Sequence, residues 1–226
     1  PASCKSNDMA RRKDHTHEQI QALAIAALQQ HLAEQPLGNM SLRKLARRIG
    51  YSPGTLINVF GSYDQLLLSV NAATLDSLSA QLTLKSDSEK NDHKQTGNKP
   101  HKNDQQPLTR LLAYGQSYLQ FAEQNRYLWQ LLFEHRLPEE EEVPDWQQQR
   151  IDGLFRTVEQ ALTEVAPQTD VAAVQQAART IWASVHGVCS LSLDDKLFAD
   201  SLTDAGAMVE SLIRNYVMAW SNQVDV

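Results

Sequence analysis

Between Ser41 and Gly61 the chain has room for two short helices and little else. Leu42, Leu45, Ala46 and Ile49 recur at helical spacing, and Leu56, Val59 and Phe60 repeat the pattern after a gap. Each run is opened by a serine and closed by a glycine: Ser41 and Gly50 bracket the first, Ser52 and Gly61 the second. Serine is a preferred N-cap, Pro53 at the first helical position is pre-set for helix, and glycine ends a helix without steric penalty. Two short helices joined by a tight, glycine-containing turn form a helix-turn-helix pattern.

The outer positions of this pair carry the chemistry. Arg43, Lys44, Arg47 and Arg48 face outward on the first helix, Thr55 and Asn58 on the second. Arginine and lysine neutralise phosphates, and the helix start at Ser52 offers backbone N–H groups to a phosphate. Gly54 and Thr55 are small enough for close groove approach, and asparagine pairs bidentately with adenine. An ordinary helical subdomain with a solvated basic face has the same pattern, so the motif alone leaves both readings open. Charge points the same way. Residues 1–63 carry eight Lys/Arg against four Asp/Glu, a balance of +4, and the remainder carries -10, giving the net -6. A basic head on an acidic body suggests that the head meets a polyanion; chance clustering is the plain alternative.

The flanks are helical too. Thr16 and Gln19 make a capping-box signature ahead of an apolar stripe at Ile20, Leu23, Ala24, Ala27, Leu28 and Leu32, ended by Pro36 and Gly38. Ser62 and Gln65 open a long connecting helix expected over 64–84. Met9-Ala-Arg-Arg-Lys reads as a natural start, which sets residues 1–8 apart and leaves 1–15 as a flexible arm.

The stretch Ser41–Leu67 resembles the DNA-binding domain of the TetR (tetracycline repressor) family, a likeness that extends over Thr16–Ser69. It is carried by Leu42, Leu45-Ala46, Ile49-Gly50, Ser52-Pro53-Gly54-Thr55-Leu56, Phe60-Gly61-Ser62 and Leu66. The resemblance implies that Arg43, Thr55 and Asn58 meet DNA. Two positions depart from the family pattern: Ile57 stands where an aromatic is usual, and Tyr63 where lysine is common. Tyr63 keeps a hydroxyl for a phosphate, whereas Ile57 has no donor. The expected DNA-binding set is therefore Arg43, Lys44, Arg47, Ser52, Gly54, Thr55, Asn58 and Tyr63.

The remainder is a helical body. Residues 85–107 contain none of A, V, I, L, M, F, W, Y or C, and are expected to be a disordered polar loop that includes His93 and His101. Periodicity resumes at Leu108. Helices are expected from there to about Ala122, over Tyr127–Leu137, over Asp145–Val165 with Trp146 and Ile151 in its stripe, from Asp170 to about Leu191, and over Ser201–Asn222. Glu139–Glu142 reads as a solvated loop. Trp182, His186 and Gly187 resemble the W…HG signature of one TetR C-terminal subclass. Trp182 and His186 share a helix face, and Gly187 permits close helix approach. His186 is either a pocket polar group or a core histidine bonded to a neighbouring helix. Aromatic residues from several helices either fill a core or line an enclosed cavity; the expected ligand-binding set is Tyr118, Phe121, Trp129, Phe133, Phe155, Trp182 and His186.

Enzyme classes find no purchase. There is no Gly-rich phosphate loop, no G-x-S-x-G and no H-E-x-x-H, and His15-x-His17 reads as a solvent-facing helix start. Cys189 reads as an inert buried thiol. No run reaches the ~18 apolar residues of a membrane span, and two cysteines suit a reducing cytosol. The fold expected is all-α with about nine helices: a three-helix helix-turn-helix domain over 16–63, and a bundle over 108–226 that binds ligand and dimerises. The function expected is a cytoplasmic, nucleoid-associated, homodimeric repressor of bacterial type. It would bind a palindromic operator through double-stranded DNA contacts and be released by an unknown, partly apolar effector, with no cofactor, metal or membrane. The alternative is an inducer-free architectural or partner-binding DNA protein whose body only dimerises.

Overall fold

The computed structural model describes residues 15–95, 105–139, 141–197 and 204–224. Among them every regular element is helical. The head holds α1 (His17–Leu32), a 3-10 turn (Leu37–Asn39), α2 (Leu42–Ile49) and α3 (Pro53–Phe60). The body holds α4 (Tyr63–Gln95), α5 (Gln105–Gln124), α6 (Arg126–Glu134), α7 (Asp145–Val165), α8 (Val171–Leu193) and α9 (Ala205–Val224).

Local signals start these helices. At α1, the Gln19 N–H donates to Thr16 Oγ1 and the Thr16 N–H donates to Gln19 Oε1, closing the capping box. Ser41 Oγ caps α2, Ser52 Oγ caps α3, and one Asp170 oxygen accepts from the Ala172 and Ala173 N–H groups at α8. Gly50 ends α2 at φ +80°, a conformation a side chain strains to adopt, and so lets the chain turn directly into α3.

Two cores form. Ile20, Ala24, Leu28, Leu45, Ala46, Leu56, Leu66 and Val70 close the head, and Leu28, Leu45 and Leu66 are fully buried. Truncating any of these leucines to alanine costs about 2–5 kcal/mol. The body core gathers around α5, which packs against α4, α7, α8 and α9. Its approach to α9 is made at Gly115, where a Cβ would lie 2.9 Å from Val209 Cγ1 and closer still to Ile213 Cδ1.

Helix α6 belongs to both cores. Leu131 is buried in the head core with Tyr127 and Leu128 packed beside it, while Trp129 is buried in the body core. Below its end, His135 Nε2 lies 2.9 Å from Asp64 Oδ1 in the first turn of α4.

Some boundaries differ from those expected. Helix α4 runs on to Gln95 and α5 begins at Gln105, so both flanks of the 85–107 tract are helical rather than loop. Glutamate, lysine and glutamine propagate a helix well once an apolar stripe upstream has nucleated it. Residues 96–104, including His101, lie outside the described residues, as do residues 1–14 and 198–203. Helix α9 is described over Ala205–Val224, and Ser201, its expected start, lies outside the described residues. No described helix is long and apolar enough to cross a membrane.

Candidate functional site: a basic helix pair and an apolar cavity

The outer face of α2 presents four cations in two different conditions. Arg43 and Arg47 are exposed, four residues apart, with no hydrogen bond or ion pair among the described residues. Lys44 Nζ donates to the Asn39 carbonyl (3.0 Å) and Arg48 to Gln30 Oε1 (2.9 Å), which ties both back to the head. On α3 Asn58 is exposed and has no side-chain partner among the described residues. The Ser52 hydroxyl is committed to its cap, accepting from the Thr55 N–H (3.1 Å) and lying 2.9 Å from Thr55 Oγ1. Gly54 leaves the start of α3 uncovered: only Ser52 Oγ comes within 4 Å of where its Cβ would be.

Tyr63 is placed differently from the other expected DNA contacts. Its ring packs on the head core, and its hydroxyl is buried with no hydrogen-bond partner. Burial first, and the neighbouring Asp64 carboxylate second, push its phenol above the ordinary range. Tyr63 therefore offers no donor to an external phosphate in this structure. The apolar surroundings that hold its ring outweigh the polar tip. His15, expected to face solvent, is half-buried and hydrogen-bonds the Tyr51 hydroxyl; His17 is exposed.

The body contains an apolar cavity of about 310 Å³. Six helices line it: Leu75, Leu78 and Leu82 from α4; Leu111, Tyr114, Gly115 and Tyr118 from α5; Leu132 and Phe133 from α6; Gln147, Ile151, Leu154, Phe155 and Val158 from α7; Ile181, Trp182 and Val185 from α8; Ile213 from α9. It is partly open rather than enclosed. Trp182, 37% exposed, contributes to the lining and is edge-on to Phe155 at 5.7 Å.

Of the seven residues expected to bind ligand, Tyr118, Phe133, Phe155 and Trp182 line this space and Phe121, Trp129 and His186 do not. Phe121 is packed in the body core. Trp129 and His186 form a layer behind the lining. His186 stacks on Trp129 at 4.7 Å, meets Phe133 edge-on at 4.4 Å, and shares a 2.9 Å hydrogen bond between Nδ1 and the Tyr118 hydroxyl. Burial pushes the His186 imidazole below its ordinary range and the Tyr118 phenol well above its own, so both are neutral near pH 7. His186 thus orients a lining tyrosine. Burial also pushes Cys189, wholly inaccessible to solvent, up to about 12, which keeps it a thiol. Gly187 has nothing within 4 Å of a built Cβ, so no described helix of this chain makes the close approach expected there.

Two contributors escaped sequence reasoning. They are the α4 leucines, on what the sequence marks only as a connecting helix, and Gln147, whose polar type hides it beside Trp146 in the expected stripe of α7. Gln147 is 3% exposed and Trp146 is 37% exposed. The register carried the signal: Gln147 stands four residues before Ile151 and in step with Leu154 and Val158, on the inward stripe of α7.

Residues 111–216 match the family model of the tetracyclin repressor-like, C-terminal domain. No curated protein matches the chain. Among solved structures, a protein of unknown function from Rhodococcus sp. RHA1 superposes with a TM-score of 0.63 at 17% identity, covering 95% of this chain and 98% of its own. A TetR-family transcriptional regulator from Streptomyces coelicolor gives 0.59 at 14% identity, with 91% and 83% covered. The TetR-family transcriptional regulator PfmR from Thermus thermophilus gives 0.53 at 15% identity, with 86% and 97% covered. Residues 111–216 thus resemble a TetR-like C-terminal domain, and the chain as a whole shares the all-α fold of these solved structures.

Proposed function

We propose that the chain is a DNA-binding transcription regulator, not an enzyme, acting in the cytoplasm as a homodimeric repressor that a small, partly apolar ligand releases from a palindromic operator. The observation that carries the DNA part is the pair of exposed cations Arg43 and Arg47 on α2, unpaired among the described residues, beside an α3 whose start is uncovered and whose Asn58 is free. Arg43, Lys44 and Arg47 are assigned to phosphates, Ser52 to fixing the start of α3, Gly54 and Thr55 to close approach, and Asn58 to a base edge.

Dimerisation through α8 and α9 is supported by their outward faces. Val171, Leu191 and Met218 are 70%, 44% and 55% exposed, and Gly187 leaves room for a second helix. A two-fold dimer sets two heads at a fixed separation, which must match half-sites about one helical turn, or a multiple of it, apart.

The cavity supports the ligand-responsive reading over the inducer-free one, and α6 supplies the route between sites. Leu132 and Phe133 line the cavity while Leu131 is set in the head core. An occupant that displaces this short helix acts on the packing of the head directly. It lowers DNA affinity by as much as it prefers the altered separation of heads. Selection of duplexes from a random pool by the purified chain tests the DNA part. An inverted repeat is expected to be enriched; a pool left without sequence preference refutes it.

A further inference from the structure

The cavity has a chemical bias that the aromatic residues alone do not reveal. None of its lining residues is charged. Its hydrogen-bonding side chains are Tyr114, Tyr118 and Gln147, with the Trp182 indole at its exposed side. The Tyr118 hydroxyl is engaged with His186 at 2.9 Å, and both groups are neutral. Gln147 is different. It is 3% exposed, it lines the cavity, and its Oε1 is buried with no donor. A buried acceptor without a donor is costly, and native interiors leave few of them. A charged ligand group drawn in to Gln147 fares badly, because it would lose its water there with no opposite charge among the lining residues.

We propose that the cavity takes a neutral, mainly aliphatic or aromatic ligand bearing one hydroxyl or carboxamide group, which hydrogen-bonds the Gln147 side-chain amide once that amide turns its Oε1 toward the cavity. Fatty acids and amines are excluded as the preferred class. This assignment rests on the reading of the body as a ligand-responsive domain, and Gln147 is its specificity-determining residue.

The test uses the full chain and three matched probes: 1-decanol, 1-methoxydecane, which keeps the chain and loses the donor, and decanoate. Binding is read at about pH 8 by displacement of the neutral dye N-phenyl-1-naphthylamine. One hydrogen bond to a buried acceptor gives 1-decanol about a 3- to 10-fold advantage over 1-methoxydecane. Decanoate is expected to bind more weakly than the alcohol. In Gln147→Met, which keeps the length and removes the amide, the dye still binds and the advantage of the alcohol over the ether disappears. Decanoate binding as tightly as 1-decanol overturns the proposal, and so does an alcohol preference that survives in Gln147→Met.

DNA affinity measured on the same samples separates this inference from the function it rests on. Alcohol preference through Gln147 without any change in DNA affinity upholds the ligand class and removes the release mechanism. Release by ether and alcohol alike does the reverse. Failure of the dye and all three probes to bind overturns both.

Discussion

The two conditions of the α2 cations give a graded prediction. Arg43 and Arg47 have no partner among the described residues, whereas Lys44 is tied to the Asn39 carbonyl and Arg48 to Gln30. Replacing Arg43 or Arg47 with alanine therefore removes nothing that holds the fold, and stability is expected to stay within about 0.5 kcal/mol. Each cation that neutralises one phosphate contributes about 0.9 to the slope of log affinity against log salt. A two-fold dimer counts each substitution twice, so Arg43→Ala lowers the slope by about 1.8 and the Arg43→Ala/Arg47→Ala pair by about 3.6. Across a fourfold change in salt, from about 0.05 M to about 0.2 M, a slope change of about 1.8 is a factor of about 12. The defect of Arg43→Ala relative to wild type is thus about 12 times larger at the lower salt. Lys44→Ala and Arg48→Ala are expected to change the slope less, because their side chains must first leave an internal acceptor. Fluorescence anisotropy of a labelled duplex over a potassium chloride series reads all four. Slopes equal to wild type for Arg43→Ala and Arg47→Ala, or a larger change for Lys44→Ala than for Arg43→Ala, remove Arg43 and Arg47 as the principal phosphate contacts.

Three further outcomes follow from the packing. Gly115→Ala forces a methyl against Val209 and Ile213; overpacking of this kind costs about 1–3 kcal/mol, and Ile213→Val is expected to restore part of the loss in a thermal melt. His186 is held neutral by burial, so the unfolded chain takes up its proton first as pH falls, and stability is lost on the acid side of the ordinary histidine range near 6.5. His186→Gln is expected to flatten the fall in melting temperature between about pH 7.5 and about pH 5.5. Sedimentation is expected to show a dimer at micromolar concentration and a monomer for Leu191→Glu/Met218→Glu; a wild-type monomer removes α8 and α9 as the interface.

Most of the helix starts were legible because their causes are local. Thr16, Ser41, Ser52 and Asp170 each satisfy backbone donors within three residues, and such signals can be read without knowing the fold. The end of α4 was not legible, since a polar tract says nothing of whether a helix nucleated upstream will run into it. Four of the seven aromatic-cluster residues line the cavity because aromatic rings on a packed body must face inward or toward a partner. The division between lining and backing was hidden. Trp182 and His186 share a helix face, but whether each meets the cavity depends on Phe133 and Trp129 arriving from α6, a separation no local pattern encodes. Tyr63 shows the opposite case: its residue type suggests a phosphate donor, whereas its ring packs on the head core and its hydroxyl is buried, which only the assembled head determines.

On the proposed function, occupancy of the cavity sets the affinity of the head for DNA through α6. The most direct test is the affinity of the dimer for its selected duplex as 1-decanol is titrated to saturation, with cavity occupancy followed by dye displacement in the same solution. Affinity is expected to fall in step with occupancy, by about 5- to 150-fold, the range of ordinary allosteric coupling. Full occupancy of the cavity with DNA affinity unchanged rules out coupling between cavity and head.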